Sequence, residues 1–299
     1  VNYDGSTLVI GTVLMLIAQM NGIHYDLPTL IKIIVVATLV SSSGGGITQF
    51  IHAYPFQTGD NIVVTDQEYP SNLYPWLMLE QNGVEVRVVK FPEDETAPDV
   101  IVAACNEHTK AVTLSATSFC TGFRMDLKKL SDLCRERGIL LVVDSIQSLG
   151  RLVVRAKELG ISFMANGGHK CLLSMKGLGF LYCDEKLLSV LTPYTACRQS
   201  LKSWHRPPLE RHFSELNWRE DAGYFESGNP NYIGILAMEK GVSLVNEIGP
   251  EKIEEHVLGL EKTLRKRLEE ENIPVKARKE KFCSGILFIT IPEDVAEKR

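Results

Sequence analysis

Short apolar runs separated by amphipathic stretches organise the chain from residue 41 to 249. "NIVVT" (61–65), "VEVRVVKF" (84–91), "KAVTLSA" (110–116), "ILLVVD" (139–144) and "ISFMA" (161–165) read as strands, mostly without the polar alternation of a half-solvated sheet. Between them "GITQFIHAY" (46–54), "LYPWLMLEQNG" (73–83), "DVIVAAC" (99–105) and "DLKKLSDLCRERG" (126–138) have helical spacing, with Gly83 and Gly138 as stops. Apolar strands alternating with helices predict a three-layer α/β/α fold around a mostly parallel sheet covered on both faces. In such sheets ligands collect at the carboxyl ends of the strands.

Past Leu187 the pattern changes. The segment 192–231 is long, polar and aromatic, interrupted by Pro193, Pro207 and Pro208, and a loop of that length in a compact domain is usually functional or disordered. Helical patterns at 233–249 and 253–273 then lead to the apolar run "GILFITI" (285–291), read as the start of a small α+β C-terminal domain. The division expected is an atypical N-terminal segment over 1–40, a large domain over 41–245, and a linking helix with an incomplete small domain over 246–299. The most apolar segments, 8–20 and 30–40, are each shorter than the roughly 18–20 residues that cross a bilayer. Lys32 interrupts the second, and no basic region precedes Leu8. Both are read as buried core, and no membrane partner is expected.

Composition narrows the classes further. With 299 residues, 44% hydrophobic and 23% charged, the chain can bury a large core. A net charge of -5 with scattered lysines and arginines gives no footprint for nucleic acid. The seven cysteines form no C-x-x-C pair, which points to reduced thiols and a cytoplasmic setting. His205 and His212 have no cysteine or carboxylate cluster at ligand spacing, so no metal is expected.

The candidate chemistry gathers at strand ends. Asp144 closes "ILLVVD", and Gln147 follows one helical turn later. Lys170 comes just past "ISFMA", in "NGGHKCLLSMKGLGFLY", so parallel neighbouring strands would bring Asp144 and Lys170 to one edge. An N-cap role for Asp144 or an ordinary ion pair would also fit those two residues. "SSSGGGITQF" (41–50) adds three glycines at a helix start, where free N–H groups and the helix dipole make a phosphate seat, although the motif is neither a P-loop nor G-x-G-x-x-G. A phosphate seat, an acidic partner for a ring nitrogen and a lysine for an aldehyde are together what pyridoxal 5'-phosphate (PLP) requires.

These motifs resemble the class V aminotransferase superfamily of fold-type I PLP enzymes. The resemblance rests on "VVDSIQSLGRL", on "GISFMANGGHKCLLSMKGLGFLY", and on "GDNIVVTDQEYPSN", "SATSFCTGFRMDLKKL" and "YFESGNPNYIGI", five motifs in order from 41 to 291. Within the superfamily it looks closest to the cysteine desulfurase and isopenicillin-N-epimerase-like branch. It implies an enzyme acting on a small amino-acid substrate by C–S cleavage, epimerisation or amino transfer. Lys170 would hold the cofactor as a Schiff base, Asp144 would face the ring nitrogen, and Gln147 the ring hydroxyl. His169 and the chain near Gly45 and Gly46 would bind phosphate, and Tyr69 would stack on the ring. Asn229 stands where relatives place a threonine that reaches the neighbouring subunit's cofactor, which implies a homodimer. Departures are Gly167 in place of a phosphate-binding serine and Phe119 in place of an asparagine. The arginine that grips substrate carboxylate and the mobile-loop cysteine of a desulfurase would lie beyond Arg299. Cofactor binding with weak or no turnover is therefore expected of residues 1–299. A scaffold that kept the fold and lost the chemistry is the alternative.

Overall fold

The computed structural model describes residues 37–40, 42–202, 216–226, 228 and 231–289. Seven strands form one sheet: β1 (Ala37–Val40), β2 (Asn61–Thr65), β3 (Glu85–Val89), β4 (Thr109–Ser115), β5 (Leu140–Asp144), β6 (Phe163–Gly167) and β7 (Gly179–Cys183). Their order is β1-β7-β6-β5-β4-β2-β3. β3, β2, β4, β5 and β6 run parallel, whereas β7 is antiparallel to both β6 and β1. The sheet is mostly parallel, as the apolar runs predict. β1 comes from the end of the apolar run 30–40, while the run 8–20 lies outside the described residues.

Alternate residues of the central strands feed two cores. In β5, Leu141 and Val143 join one and Val142 the other. Helices α3 (Ala97–Ala103), α4 (Leu127–Glu136) and α7 (Tyr232–Ile248) cover the first face through Ile101, Leu130 and Met238. Helices α1 (Ser43–Ala53) and α2 (Pro70–Leu77) cover the second through Phe50 and Trp76. Three layers result, with every central strand buried on both sides. Two single-turn helices, α5 (Ala156–Leu159) and α6 (Glu185–Leu188), and the long α8 (Pro250–Glu270) complete the set.

Two sequence expectations change in detail. The stretch 73–83 was expected to be one helix. It is α2, which begins with Pro70 in the first turn, followed by a 3₁₀ segment Met78–Asn82 that ends at Gly83 with φ 77°. The run 285–291 forms no strand among the described residues beyond an antiparallel bridge between Val275 and Ile289. Glu261 of α8 holds its start instead, accepting the N–H groups of Ser284 (3.0 Å) and Gly285 (2.5 Å). No helix of the described residues is long and apolar enough to cross a membrane.

One glycine governs how α7 meets the loop that carries Lys170. A Cβ at Gly241 would collide with the carbonyl oxygen of Leu172, because helix and loop touch backbone to side-chain position there. Gly241→Ala is expected to cost about 3 kcal/mol through overpacking. Urea unfolding reads this directly; an unchanged midpoint would mean the helix can shift at no cost.

Candidate active site

The parallel register puts Ser115 beside Asp144 and Asp144 beside Ala165 at the carboxyl edge of β4, β5 and β6. Lys170 follows three residues after the end of β6, in the connection to β7. That connection folds back on itself: Gly168 donates to Leu178 O (2.8 Å), and Ser174 donates to Gly168 O (2.9 Å). A Cβ at Gly168 would sit 3.0 Å from Ser174 Cβ, so the glycine is what lets the loop turn this tightly.

Asp144 is buried, and one carboxylate oxygen accepts the Ile146 N–H at 2.9 Å. Burial pushes its carboxyl up to about 6, against the pull of that hydrogen bond, of the Ser43 hydroxyl and of the Lys170 charge. Lys170 moves the opposite way: burial disfavours its ammonium form, with Asp144 resisting. A carboxyl raised and an amine lowered at one strand edge is the perturbation expected of a functional site. Lys170 Nζ lies 6.0 Å from the centre of the Tyr69 ring. Tyr69 caps the start of α2, half exposed, and meets Phe119 edge-on with ring centres 5.2 Å apart.

The remaining predicted residues fall around this pair. Burial and the charges of Lys170 and Lys176 hold the His169 imidazole below its usual range, so it is neutral near pH 7. A Cβ at Gly167 would lie 2.7 Å from Ile146 Cδ1 and 3.3 Å from His169 Nδ1. Packing of Ile146 and the histidine ring therefore explains the glycine where a serine might have stood. The Gln147 carbonyl accepts from Arg151, while its carboxamide makes no hydrogen bond among the described residues. At the start of α1 the Ser42 hydroxyl accepts the Gly45 N–H (3.0 Å) and the Ser42 carbonyl accepts that of Gly46 (3.0 Å). Those two amides are thus engaged in capping, and the N–H groups of Ser43 and Gly44 are the ones without partners among the described residues. Asn229 lies outside the described residues.

One residue escaped the sequence reading. Glu68, inside "TDQEYPSN", is buried among hydrogen-bond donors from β2, α2 and β4, and its charge raises Asp144. A glutamate between a glutamine and a tyrosine reads as a surface residue. The available signal was Thr65 three residues before it and Asn72 four after, both able to donate to one carboxylate.

The aminotransferase class-V family model matches residues 29–290. The chain belongs to the class V aminotransferases. This is a family of PLP-dependent enzymes. Among its curated relatives is a probable cysteine desulfurase of Methanothermobacter thermautotrophicus, 33% identical over 210 residues, covering 67% of this chain and 49% of the relative. The chain spans about half the length of the curated relatives it matches. Among solved structures, the apo cysteine desulfurase of Thermococcus onnurineus NA1 superposes with a TM-score of 0.82 at 21% identity, covering 98% of this chain and 71% of that one. The C-DES protein, solved with glycine covalently linked to its PLP cofactor, gives 0.80 at 18% identity, covering 92% and 71%. At these identities the structural likeness concerns the fold.

The class V site in this chain fits PLP on its own chemistry. Asp144 is a buried carboxylate with no ion pair among the described residues, which suits a protonated ring nitrogen. Among the described residues, burial biases the lysine beside it toward the neutral amine, the Gln147 carboxamide makes no hydrogen bond, and two N–H groups at the start of α1 have no partner.

Proposed function

We propose that this chain is the PLP-binding part of an enzyme that acts on a small amino acid, of the cysteine desulfurase type. The observation that carries the reading is the pairing of buried Asp144 with charge-disfavoured Lys170 at the carboxyl edge, within a class V chain. Lys170 would hold the cofactor's aldehyde carbon and Asp144 would keep a proton on its ring nitrogen. Ser43, Gly44 and His169, with the turn through Gly45 and Gly46, would take the phosphate. Gln147 would donate to the ring hydroxyl, and the Tyr69 ring would cover one face.

Bound there, PLP supplies an electron sink for the bond broken at the substrate's α-carbon. The protein's share is acid–base and positional. Burial biases Lys170 Nζ toward the neutral amine, the form that would take a proton from the α-carbon and return it. Asp144 stays close enough to neutrality that a cation at the ring nitrogen, more than solvent, sets its charge. Tyr69 and Phe119 form an aromatic wall on the open side, restricting how the ring and substrate can tilt.

We further propose a homodimer. Tyr232, Ile233 and Leu236 at the start of α7, and Leu173 and Met175 after Lys170, are exposed apolar residues near the site, and "SGNPN" with Asn229 lies immediately before that helix. Sedimentation is expected to give a dimer, and a monomer that still holds PLP tightly would rule this out.

Activity is tested by incubating the PLP-loaded protein with L-cysteine and measuring alanine and released or protein-bound sulfur. Alanine with stoichiometric sulfur supports desulfuration. Racemised amino acid or a keto acid would instead assign epimerisation or amino transfer. No cofactor uptake at all would leave only the scaffold reading.

A further inference from the structure

Glu68 has no task in the reading above, yet its surroundings are built for it. It is 8% exposed. Oε1 accepts the Thr65 hydroxyl (2.5 Å) and the Ser115 N–H (2.9 Å). Oε2 accepts the Asn72 amide (2.7 Å) and the Ser115 hydroxyl (2.6 Å). Both oxygens thus receive two donors each. The Thr65 and Ser115 hydroxyls can turn to accept, but each oxygen also receives an N–H that cannot, Ser115 N–H on Oε1 and the Asn72 amide on Oε2. The socket suits the ionised form.

The position matters as much as the socket. Ser115, which donates twice to Glu68, is the register neighbour of Asp144. Burial outweighs the four hydrogen bonds that lower Glu68 and holds its carboxyl above the usual range, and its charge in turn raises Asp144. The groups facing Asp144 are Glu68, Lys170, the Ser43 hydroxyl and the Ile146 N–H; among the described residues no cation acts on Glu68 itself. Lys170 is the one cation acting on Asp144 among the described residues, and it is itself biased toward the neutral amine. The edge is short of one positive charge.

We propose that Glu68 is a second, ionised carboxylate behind Asp144, a positioning residue that acts through Asp144 to favour a cofactor whose ring nitrogen is protonated. This rests on the PLP reading. A merely structural role, pinning the Tyr69 turn to the end of β4, would leave the ring nitrogen's charge irrelevant.

The experiment compares two ligands on the apoprotein: PLP, and its deaza analogue in which a CH group replaces the ring nitrogen. Both carry the same aldehyde and phosphate. Glu68→Gln is expected to weaken PLP binding by about tenfold or more, the scale of one nearby charge in a partly buried site. The same variant should leave the deaza analogue nearly unaffected. Ser115→Ala keeps the carboxylate but withdraws one of its donors, so a smaller loss with the same ligand selectivity is expected. That variant decides the matter if Glu68→Gln does not fold. Equal weakening of both ligands, or no weakening of PLP, overturns the proposal. Failure of the wild-type chain to take up PLP would remove the underlying cofactor reading instead, an outcome visible before any variant is made.

Discussion

Lys170→Ala is expected to leave a folded protein that takes up PLP reversibly, without covalent attachment, and that loses at least about a thousandfold of whatever turnover the wild-type chain shows. The side chain stands partly exposed in the β6–β7 connection, so its truncation opens no core cavity. What is lost is chemical. Burial has already shifted this amine toward its neutral form, and the Tyr69 ring centre 6.0 Å away bounds the space above it. Lys176, six residues on in the same connection, is exposed. Borohydride treatment of the loaded wild-type protein, followed by peptide mapping, should find the cofactor fixed to Lys170. Attachment to another lysine would end the assignment.

Asp144→Asn should separate stability from function. The carboxyl's value in the folded apoprotein, about 6, exceeds its ordinary 3.8. A group raised on folding contributes stability that is complete below the ordinary value and lost as pH rises through the raised one. The wild-type apoprotein should therefore lose about 2.4 kcal/mol on this account between pH 4 and 7. Asparagine does not titrate, so the variant's apoprotein should be the more stable of the two at pH 7 and its stability flatter with pH. Turnover should move the other way, falling about a hundredfold to a thousandfold with the loss of one preorganised charge at the reacting group. Denaturant midpoints across pH, together with the activity assay, measure both. A variant less stable than wild type at pH 7 would show that the buried carboxylate is already paid for in the apoprotein.

Strand-end residues were the most legible part of the site. Asp144 and Lys170 each close an apolar run, and parallel pairing of β5 with β6 is what those runs predict, so their convergence followed from pattern alone. The glycine stops at Gly83 and Gly138 were legible too, both having positive φ. Hydrogen-bond allocation was not. Three glycines announce a helix start but not that Ser42 takes up the amides of Gly45 and Gly46. Glu68 was hidden because its decisive donor, Ser115, lies 47 residues away, and only the pairing of β2 with β4 brings them together. β1 was illegible for a different reason: an apolar run interrupted by Lys32 gives neither a helical nor a strand period, and the antiparallel partner that fixes it is β7.

That last pairing has a consequence in time. Val40 pairs with Gly179, and α1, whose first turn offers the open amides, starts only three residues after Val40. During synthesis the strand that anchors this turn has no neighbour until about three fifths of these 299 residues have been made. Closing so distant a contact is slow, and the unpaired edge waits exposed meanwhile. The helix start that should receive a phosphate is thus the last part of the edge to be tethered. In a refolding experiment the uptake of cofactor should lag behind the gain of helical signal, making the bound ligand a clock for the final closure of the sheet.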